Sequence, residues 1–446
     1  MESEHLATLA VHTIGGGWGK EQFDERHTVR VAVIRGTDIP KLSVGDISTV
    51  PKRWETPRKV ESRLLRYGDI VIEVSGGSPT SGQHTGRALL ITKEMIDQLG
   101  GSVIPASFCR LLRLNNSKVD PRYVTYQIAG LHFSGEIGQF ENQSTGLANF
   151  QFQKFIDSVC PDIADISEQR RVSEVLNCLD DRIRHNRALA ANLEAIVRRL
   201  FKSWFVDFDP VRAKAAGENP PGLADDIAVL FPEQFVDSEL GEIPGGWRLE
   251  TLTSVARLNP ETWTTRKHPD EIRYLDLSNV KDGLIDAPTK YSWEEAPSRA
   301  RRVLQQGDTI IGTVRPGNRS FALIDQAGLT GSTGFAVLRP LCDVNREFLY
   351  IAATSDDAIE RLAHLADGAA YPAVRPEVVL ATEIVMPSEE IMTAFSALTE
   401  GMIDLASVCK QEIKALAGIR DLLLPRLISG KLRVEDAESV IEEAIT

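Results

Sequence analysis

No two of the five cysteines have CxxC spacing, and an odd number cannot all be paired into disulfides. Cys109, Cys160, Cys178, Cys342 and Cys409 are scattered along the chain, as expected of thiols kept reduced in a cytoplasm. No run of eighteen apolar residues exists, so no membrane partner is expected. The opening MESEHLATLAVHT lacks a basic region followed by an apolar one, and a soluble, cytoplasmic protein is expected. A Gly-x4-Gly-Lys-Ser/Thr phosphate loop is missing, which excludes a P-loop motor. The Asp- or Asn-Pro-Pro-aromatic tetrad with which adenine methylases hold an amino group is missing too; LNPETW (258–263) lacks the second proline. IGGGWG (14–19) is followed by KEQFDERHTV rather than by an evident strand–loop–helix unit. It reads as a turn, not as a phosphate or S-adenosylmethionine loop. The eight histidines show no metal-ligand spacing, so no metal is expected.

What is present is ordinary in bulk and uneven in detail. An apolar content of 42% and a charged content of 25% are those of globular protein, and 446 residues exceed one ordinary core. Fifty basic residues against 63 acidic give a net charge of −13, which by itself speaks against nucleic acid. Residues 1–155, however, hold 18 basic and 16 acidic residues, whereas 210–245 hold 2 and 7, and 386–446 hold 6 and 11. PKRWETPRKVESRLLR (51–66) has six basic residues against Glu55 and Glu61. Charges are felt over a screening length of about 8 Å, so a local basic face is compatible with an acidic chain.

The strongest periodic signal is a seam of apolar positions: Val172, Leu176, Leu179, Ile183, Asn186, Ala190, Leu193, Val197, Leu200 and Trp204. The steps alternate four and three, a heptad pattern broken only by Asn186. Ser167 is the expected N-cap, and Asp209-Pro210 the stop. A helix of about 40 residues would be roughly 60 Å long and would need a partner. Moved 223 positions on, the seam falls on Phe395, Thr399, Met402, Ala406, Cys409, Ile413, Leu416, Arg420, Leu423 and Leu427. The expected helix-interface residues are therefore Leu176, Leu179, Ile183, Leu193, Leu200, Phe201 and Trp204 in the first helix, and Ile413, Leu416, Leu423 and Leu427 in the second. The dense patch RRLFKSWFVDFDPV (198–211) closes the first helix, and Leu424 and Leu427 stand where Phe201 and Trp204 do. Pro425 is expected to kink or loosen the last turn of the second.

The segments before each helix repeat as well. SRLLRYGDIVIEVSGG (62–77) resembles RRVLQQGDTIIGTVRPG (301–317), DPRYVTYQI (120–128) resembles NREFLYIAA (345–353), and RVAVIRGTDI (30–39) resembles IRYLDLSNVK (272–281). Short β-branched runs, Gly/Asn/Asp turns and brief helices make each block a compact α+β domain. A tandem duplication is expected, with an antiparallel helix pair holding two similar domains at opposite ends.

EQRRVSEVLNCLDDRI, LFKSWFVDFDPVRAKAAG, LGEIPGGWRLETLTSVA (240–256) and RDLLLPRLISGK with LRVEDA together resemble the specificity subunit of Type I restriction-modification systems. The resemblance spans nearly the whole chain. It implies an α+β fold with two tandem α/β target-recognition domains, separated by two long antiparallel, coiled-coil-like helices in a pseudo-two-fold repeat. The expected boundaries are 1–160 for the first recognition domain, 161–208 for the first helix, 209–245 for a linker containing GENPPGLADD, 246–386 for the second domain, 387–434 for the second helix and 435–446 for a tail. It further implies a non-catalytic reader of a bipartite double-stranded DNA target. The helices would dock two methylase subunits, and restriction subunits would join through those. No cofactor is expected on this chain, S-adenosylmethionine and ATP belonging to the partners. Two other readings stay open on the residues alone: a coiled-coil scaffold or adaptor without DNA reading, and a self-sufficient DNA methyltransferase.

Residues that touch DNA must come from polar, basic loops. In the first domain the candidates are Gln83, His84 and Arg87 in GSPTSGQHTGR (77–87) for bases, and Lys52, Arg53, Arg58 and Lys59 for phosphates. In the second they are Arg315, Asn318 and Arg319 in RPGNRS (315–320), the preceding Arg299, Arg301 and Arg302, and Tyr371 and Arg375 in DGAAYPAVRP.

Overall fold

The structure is a computed structural model that describes residues 4–76, 84–144, 147–239, 241–366 and 372–445. The chain is an α+β protein with two long helices, Ile166–Phe205 and Glu389–Ile428, each of 40 residues. Both ends of the second lie 223 positions beyond those of the first, the offset expected from the seam. Two compact units divide the chain inside these helices: Met1–Arg187 with Glu412–Thr446, and Ala188–Gln411.

The first unit holds a four-stranded antiparallel sheet in the order Ala10–Gly15, Cys109–Leu114, Ile70–Glu73, Ala88–Leu90. Every residue of Ile70–Glu73 is buried, as its run IVIE requires of an inner strand. A three-stranded sheet sets Val29–Ile34 antiparallel to Lys52–Glu55 and parallel to Val103–Pro105. The helix Pro121–Ser134 starts from Asp120, whose carboxylate caps Arg122 N. Its Tyr123 joins Val172, Leu176, Leu179 and Ile183 and the facing Leu416, Leu423, Leu424 and Leu427 in one apolar cluster, with Ile413 at its margin. Asp180 pairs with Arg420 and Asn186 Nδ2 donates to Glu412, so partner numbers fall as positions rise: the helix halves run antiparallel.

The second unit repeats this plan. Ala256–Leu258, Phe335–Pro340, Thr309–Gly312 and Phe321–Leu323 form the antiparallel sheet. In the other sheet Glu271–Leu275 lies antiparallel to Thr289–Ser292 and parallel to Leu329–Ser332, with Ala300–Leu304 as an added edge. The helix halves pack through Ala190, Ala406 and Cys409 beside Leu193 and, beyond them, through an aromatic core. There Trp204, 1% exposed, meets Phe231 at 5.0 Å and Phe395 at 5.9 Å between ring centres. Phe205 meets Phe348 at 5.1 Å, Phe201 is buried in the same cluster, and Leu200 packs against it.

The duplication reaches individual hydrogen bonds. Gly68 (φ 84°) and Gly307 (φ 89°) make left-handed turns that only glycine enters without strain. The next residues, Asp69 and Asp308, are buried; Asp69 accepts Arg66 N and the Arg113 guanidinium, and Asp308 accepts Gln305 N and that of Arg339. One expected alignment is a residue out. The turns after Val29–Ile34 and Glu271–Leu275 match at Arg35 and Asp276, whose N–H groups donate to Asp38 and Asn279, so Arg35 does not lie over Leu277.

Other expectations are corrected. Asp165, not Ser167, caps the first helix: its carboxylate accepts Ser167 N and its carbonyl Gln169 N. The stretch expected as a linker folds onto the second unit, with the helix Asp209–Ala215 and the hairpin Phe235–Ser238 with Gly241–Pro244. The reason is the aromatic patch, which needs cover and receives it from Phe208, Val211, Phe231 and Trp247. The expected tail is the helix Val434–Ile445, whose Val434 and Ala437 are buried. Val434 stands 223 positions beyond the equally buried Val211, so the repeat outlasts the long helices. The composition of Glu389–Ile428 would let it cross a membrane. Its Phe395, Ala406, Leu416, Leu423 and Leu427 are instead covered by protein.

Truncation should show how much this cover contributes. Trp204→Ala is expected to lower the unfolding free energy by about 3–5 kcal/mol, and Leu427→Ala by about 2–5 kcal/mol. Denaturant unfolding with a shifted midpoint and unchanged slope would report it; losses below about 1 kcal/mol would show that these side chains are not core.

Candidate nucleic-acid interface

In the first unit the expected basic residues divide by partner. Lys52 and Arg58 are exposed and make no side-chain hydrogen bond or ion pair among the described residues. Lys59 is exposed and lies 3.4 Å from the buried carboxylate of Glu55. Arg53 is only 17% exposed, donates to Glu21 at 2.7 Å and lies 4.7 Å over the Trp18 ring. Arg87 is partly buried and paired with a buried carboxylate. Its guanidinium makes two bonds, 2.8 and 2.7 Å, to Glu73, a carboxylate on a buried strand that needs a counter-charge. His84 Nδ1 bonds Glu141, which also accepts from Thr85 Oγ1 and Thr85 N. Burial alone would raise the Glu141 pKa, but these hydrogen bonds outweigh it and hold the carboxyl below its ordinary value. Gln83 lies outside the described residues.

The sequence reading missed an aromatic surface beside this basic face. Phe23, 60% exposed, meets Trp54 edge-on at 5.3 Å, and Trp18 is 38% exposed. IGGGWG builds it. A Cβ on Gly16 would lie 2.0 Å from Ala106 O, and one on Gly19, at φ 69°, 2.5 Å from Trp54 O. These glycines let Trp18 approach the strand Lys52–Glu55; the motif itself is the end of the strand Ala10–Gly15 followed by irregular chain. The available signal was the spacing of Trp18, Phe23 and Trp54 around short strands.

In the second unit Arg299 donates to Tyr274 Oη and Asp276, and Arg301 lies 4.5 Å over Trp293, which stacks on His268 at 4.0 Å. Arg302 is half-buried. Burial lowers its pKa, its Nε lacks a partner, and an Nη reaches Thr262 Oγ1 only at 3.5 Å. Arg319, a third exposed, pairs with the surface carboxylates of Asp282 and Asp356. Arg315, Asn318 and Arg375 are exposed, and their side chains have no such partner among the described residues. Tyr371 lies outside the described residues.

The fold brings two of the candidate loops together. Val314 bridges to Ala373, Arg315 N donates to Pro372 O at 2.8 Å, and Val374 N to Thr313 O at 2.9 Å. Arg315 and Arg375 thus leave the same seam of backbone bonds. The first unit has the equivalent seam: Ser75 bridges to Asn149, and Phe150 N donates to Val74 O at 2.9 Å. Each unit therefore fastens the loop after its inner strand to a segment leading into a short helix, Phe152–Ser158 or Pro376–Leu380. Exposed arginines on such a frame can donate to phosphates or base edges without first breaking an ion pair.

No family model matches the chain. Over 388 residues it is 23% identical to the Type I restriction enzyme HindI specificity subunit of Haemophilus influenzae, covering 76% of this chain and 80% of that protein. It is 23% identical over 277 residues to the Type I restriction enzyme MjaIX specificity subunit of Methanocaldococcus jannaschii, 60% of each. The crystal structure of a Type I restriction-modification system S subunit from M. genitalium superposes with a TM-score of 0.55 at 13% identity, over 96% of this chain and 95% of that one. That superposition establishes a shared fold.

The division of arginines carries a stability prediction. Arg87→Ala leaves Glu73 buried without its partner and should cost about 3–5 kcal/mol. Arg315→Ala and Arg375→Ala should each stay within about 0.5 kcal/mol of the parent. Thermal unfolding of the three variants tests this; equal losses in all three would contradict it.

Proposed function

We infer that this chain, a specificity subunit of the Type I restriction-modification kind, reads a two-part double-stranded DNA target, one part with each unit. The observation that carries the reading is the repeated loop frame: each unit fastens the loop after its inner strand by the same backbone bond, Phe150 N to Val74 O or Val374 N to Thr313 O. Duplicated frames with differing loop residues suit a protein that reads two unlike half-sites with one architecture. The overall charge of −13 does not oppose this, because exposed basic groups such as Lys52, Arg58, Arg315 and Arg375 sit on the recognition units.

The chain supplies recognition and assembly rather than chemistry. Two methylase subunits dock on the long helices, restriction subunits join through the methylases, and S-adenosylmethionine and ATP bind those partners. The complex acts in the cytoplasm. A pure scaffold would leave the exposed arginines of the loop frames without a role. A self-sufficient methyltransferase would need the missing amino-group tetrad.

The purified chain alone should transfer no methyl group to DNA and hydrolyse no ATP; methylation without any partner would overturn this. With its methylase in cells, it should place N6-methyladenine at one two-part motif. Exchanging residues 246–386 for those of a relative should change one half of that motif only. Mapped sites with both halves altered would contradict independent reading by the two units.

A further inference from the structure

Five described residues other than glycine have a positive φ, and two of them bracket one turn: Arg315 (φ 47°) and Arg319 (φ 60°), on either side of Pro316–Asn318. Left-handed backbone is costly for a residue with a Cβ and persists where the surroundings over-determine it. Here they do. Arg319 is clamped by Asp282 and Asp356, Lys281 Nζ donates to Asn318 O at 2.7 Å, and Arg315 N donates to Pro372 O. The side chains of Arg315 and Asn318 are exposed and have no such partner among the described residues. Arg375, also exposed, stands two residues beyond the bridging Ala373 and precedes the helix Pro376–Leu380.

We propose that Arg315 and Arg375 are the base-reading residues of the second unit and that its half-site contains a G·C pair, read at the guanine edge. The proposal deepens the DNA-reading function inferred above and rests on it. A guanidinium presents paired N–H donors, and guanine N7 and O6 present paired acceptors in the major groove, a match that no other base edge offers. A turn already held in its working shape loses little freedom on binding. Arg319 has the same chemistry in the same loop but serves as the fastener. In the first unit the residue in the place of Arg375 is Gln151, because Phe150 and Val374 make equivalent backbone bonds. A glutamine amide matches the donor–acceptor edge of adenine instead. The two units therefore present different chemistry at equivalent places, as reading two unlike half-sites requires.

The test uses the full chain assembled with its methylase: the parent, Arg315→Ala, Arg375→Ala, Arg375→Gln and Arg319→Ala. N6-methyladenine is mapped in genomic DNA, and binding to the mapped duplex is measured against salt. The half that changes on exchange of residues 246–386 identifies the second unit's target. Arg315→Ala and Arg375→Ala should each lose on the order of 10- to 100-fold discrimination at one G·C pair of that half. Their thermal midpoints and the other half should be unchanged. Arg375→Gln should shift preference there toward A·T, whereas Arg319→Ala should lower the thermal midpoint. An arginine that contacts only phosphate would weaken binding to all sequences alike and reduce the salt slope by about one. That outcome, or an unchanged motif in both alanine variants of a parent complex that methylates a two-part motif, overturns the proposal alone. A parent complex that methylates no defined motif overturns the DNA-reading function with it.

Discussion

Covering the apolar seams of two 40-residue helices is the constraint on which the rest of the structure depends. Each fully buried leucine or larger side chain contributes roughly 1.5–3 kcal/mol only while it is out of water. The seams cover each other side by side, but each helix end needs a further lid. The first ends in Phe201, Trp204 and Phe205, and Phe348, Phe231 and Trp247 close over them. The second ends in Leu424, Leu427 and Ile428, and Tyr123 closes over these, its hydroxyl donating to Ile428 O at 2.7 Å. Phe348 and Tyr123 occupy corresponding short helices, so one half solves with aromatic rings what the other solves with aliphatic chains and one hydrogen bond. Each unit is thereby anchored to helix rather than tethered by a loose linker.

The second constraint is electrostatic. Both inner strands follow a buried aspartate, Asp69 or Asp308, and a buried charge is tolerable only when paired and hydrogen-bonded. Arg113 and Arg339 supply that pairing from the neighbouring strand. Glu73 draws in Arg87 in the same way. These arginines hold the sheet, and the loops it carries, in a fixed place. Among the described residues Arg58, Arg315 and Arg375 are exposed, face no such carboxylate and remain open to an external anion or base. An acidic chain can in this way present a locally basic surface.

Much of the plan was legible in the residues. The four–three seam and its offset of 223 located both long helices to within a few residues, because apolar periodicity is a local property of an amphipathic helix. The glycine–aspartate pairs, Gly68-Asp69 and Gly307-Asp308, revealed the duplication because a left-handed turn demands glycine wherever it recurs. The cap at Asp165, the one-residue slip at Arg35 and Asp276, and the folded stretch after Phe205 were not legible. Each depends on which backbone group or apolar surface happens to be left uncovered nearby.

Periodicity and turn chemistry along the chain specify the two long helices, their repeat, and the pairing of each with a mixed α/β domain. Which arginine is paired and which is free of a partner follows from folding alone. Arg315 and Arg319 sit four residues apart in one loop, and nothing local separates them. One faces Asp282 and Asp356, brought near by folding; the other faces solvent beside Pro372 and Arg375. A charge–charge pairing falls off with distance in space and takes no account of distance along the chain. The pairing of these side chains is therefore fixed where distant segments meet.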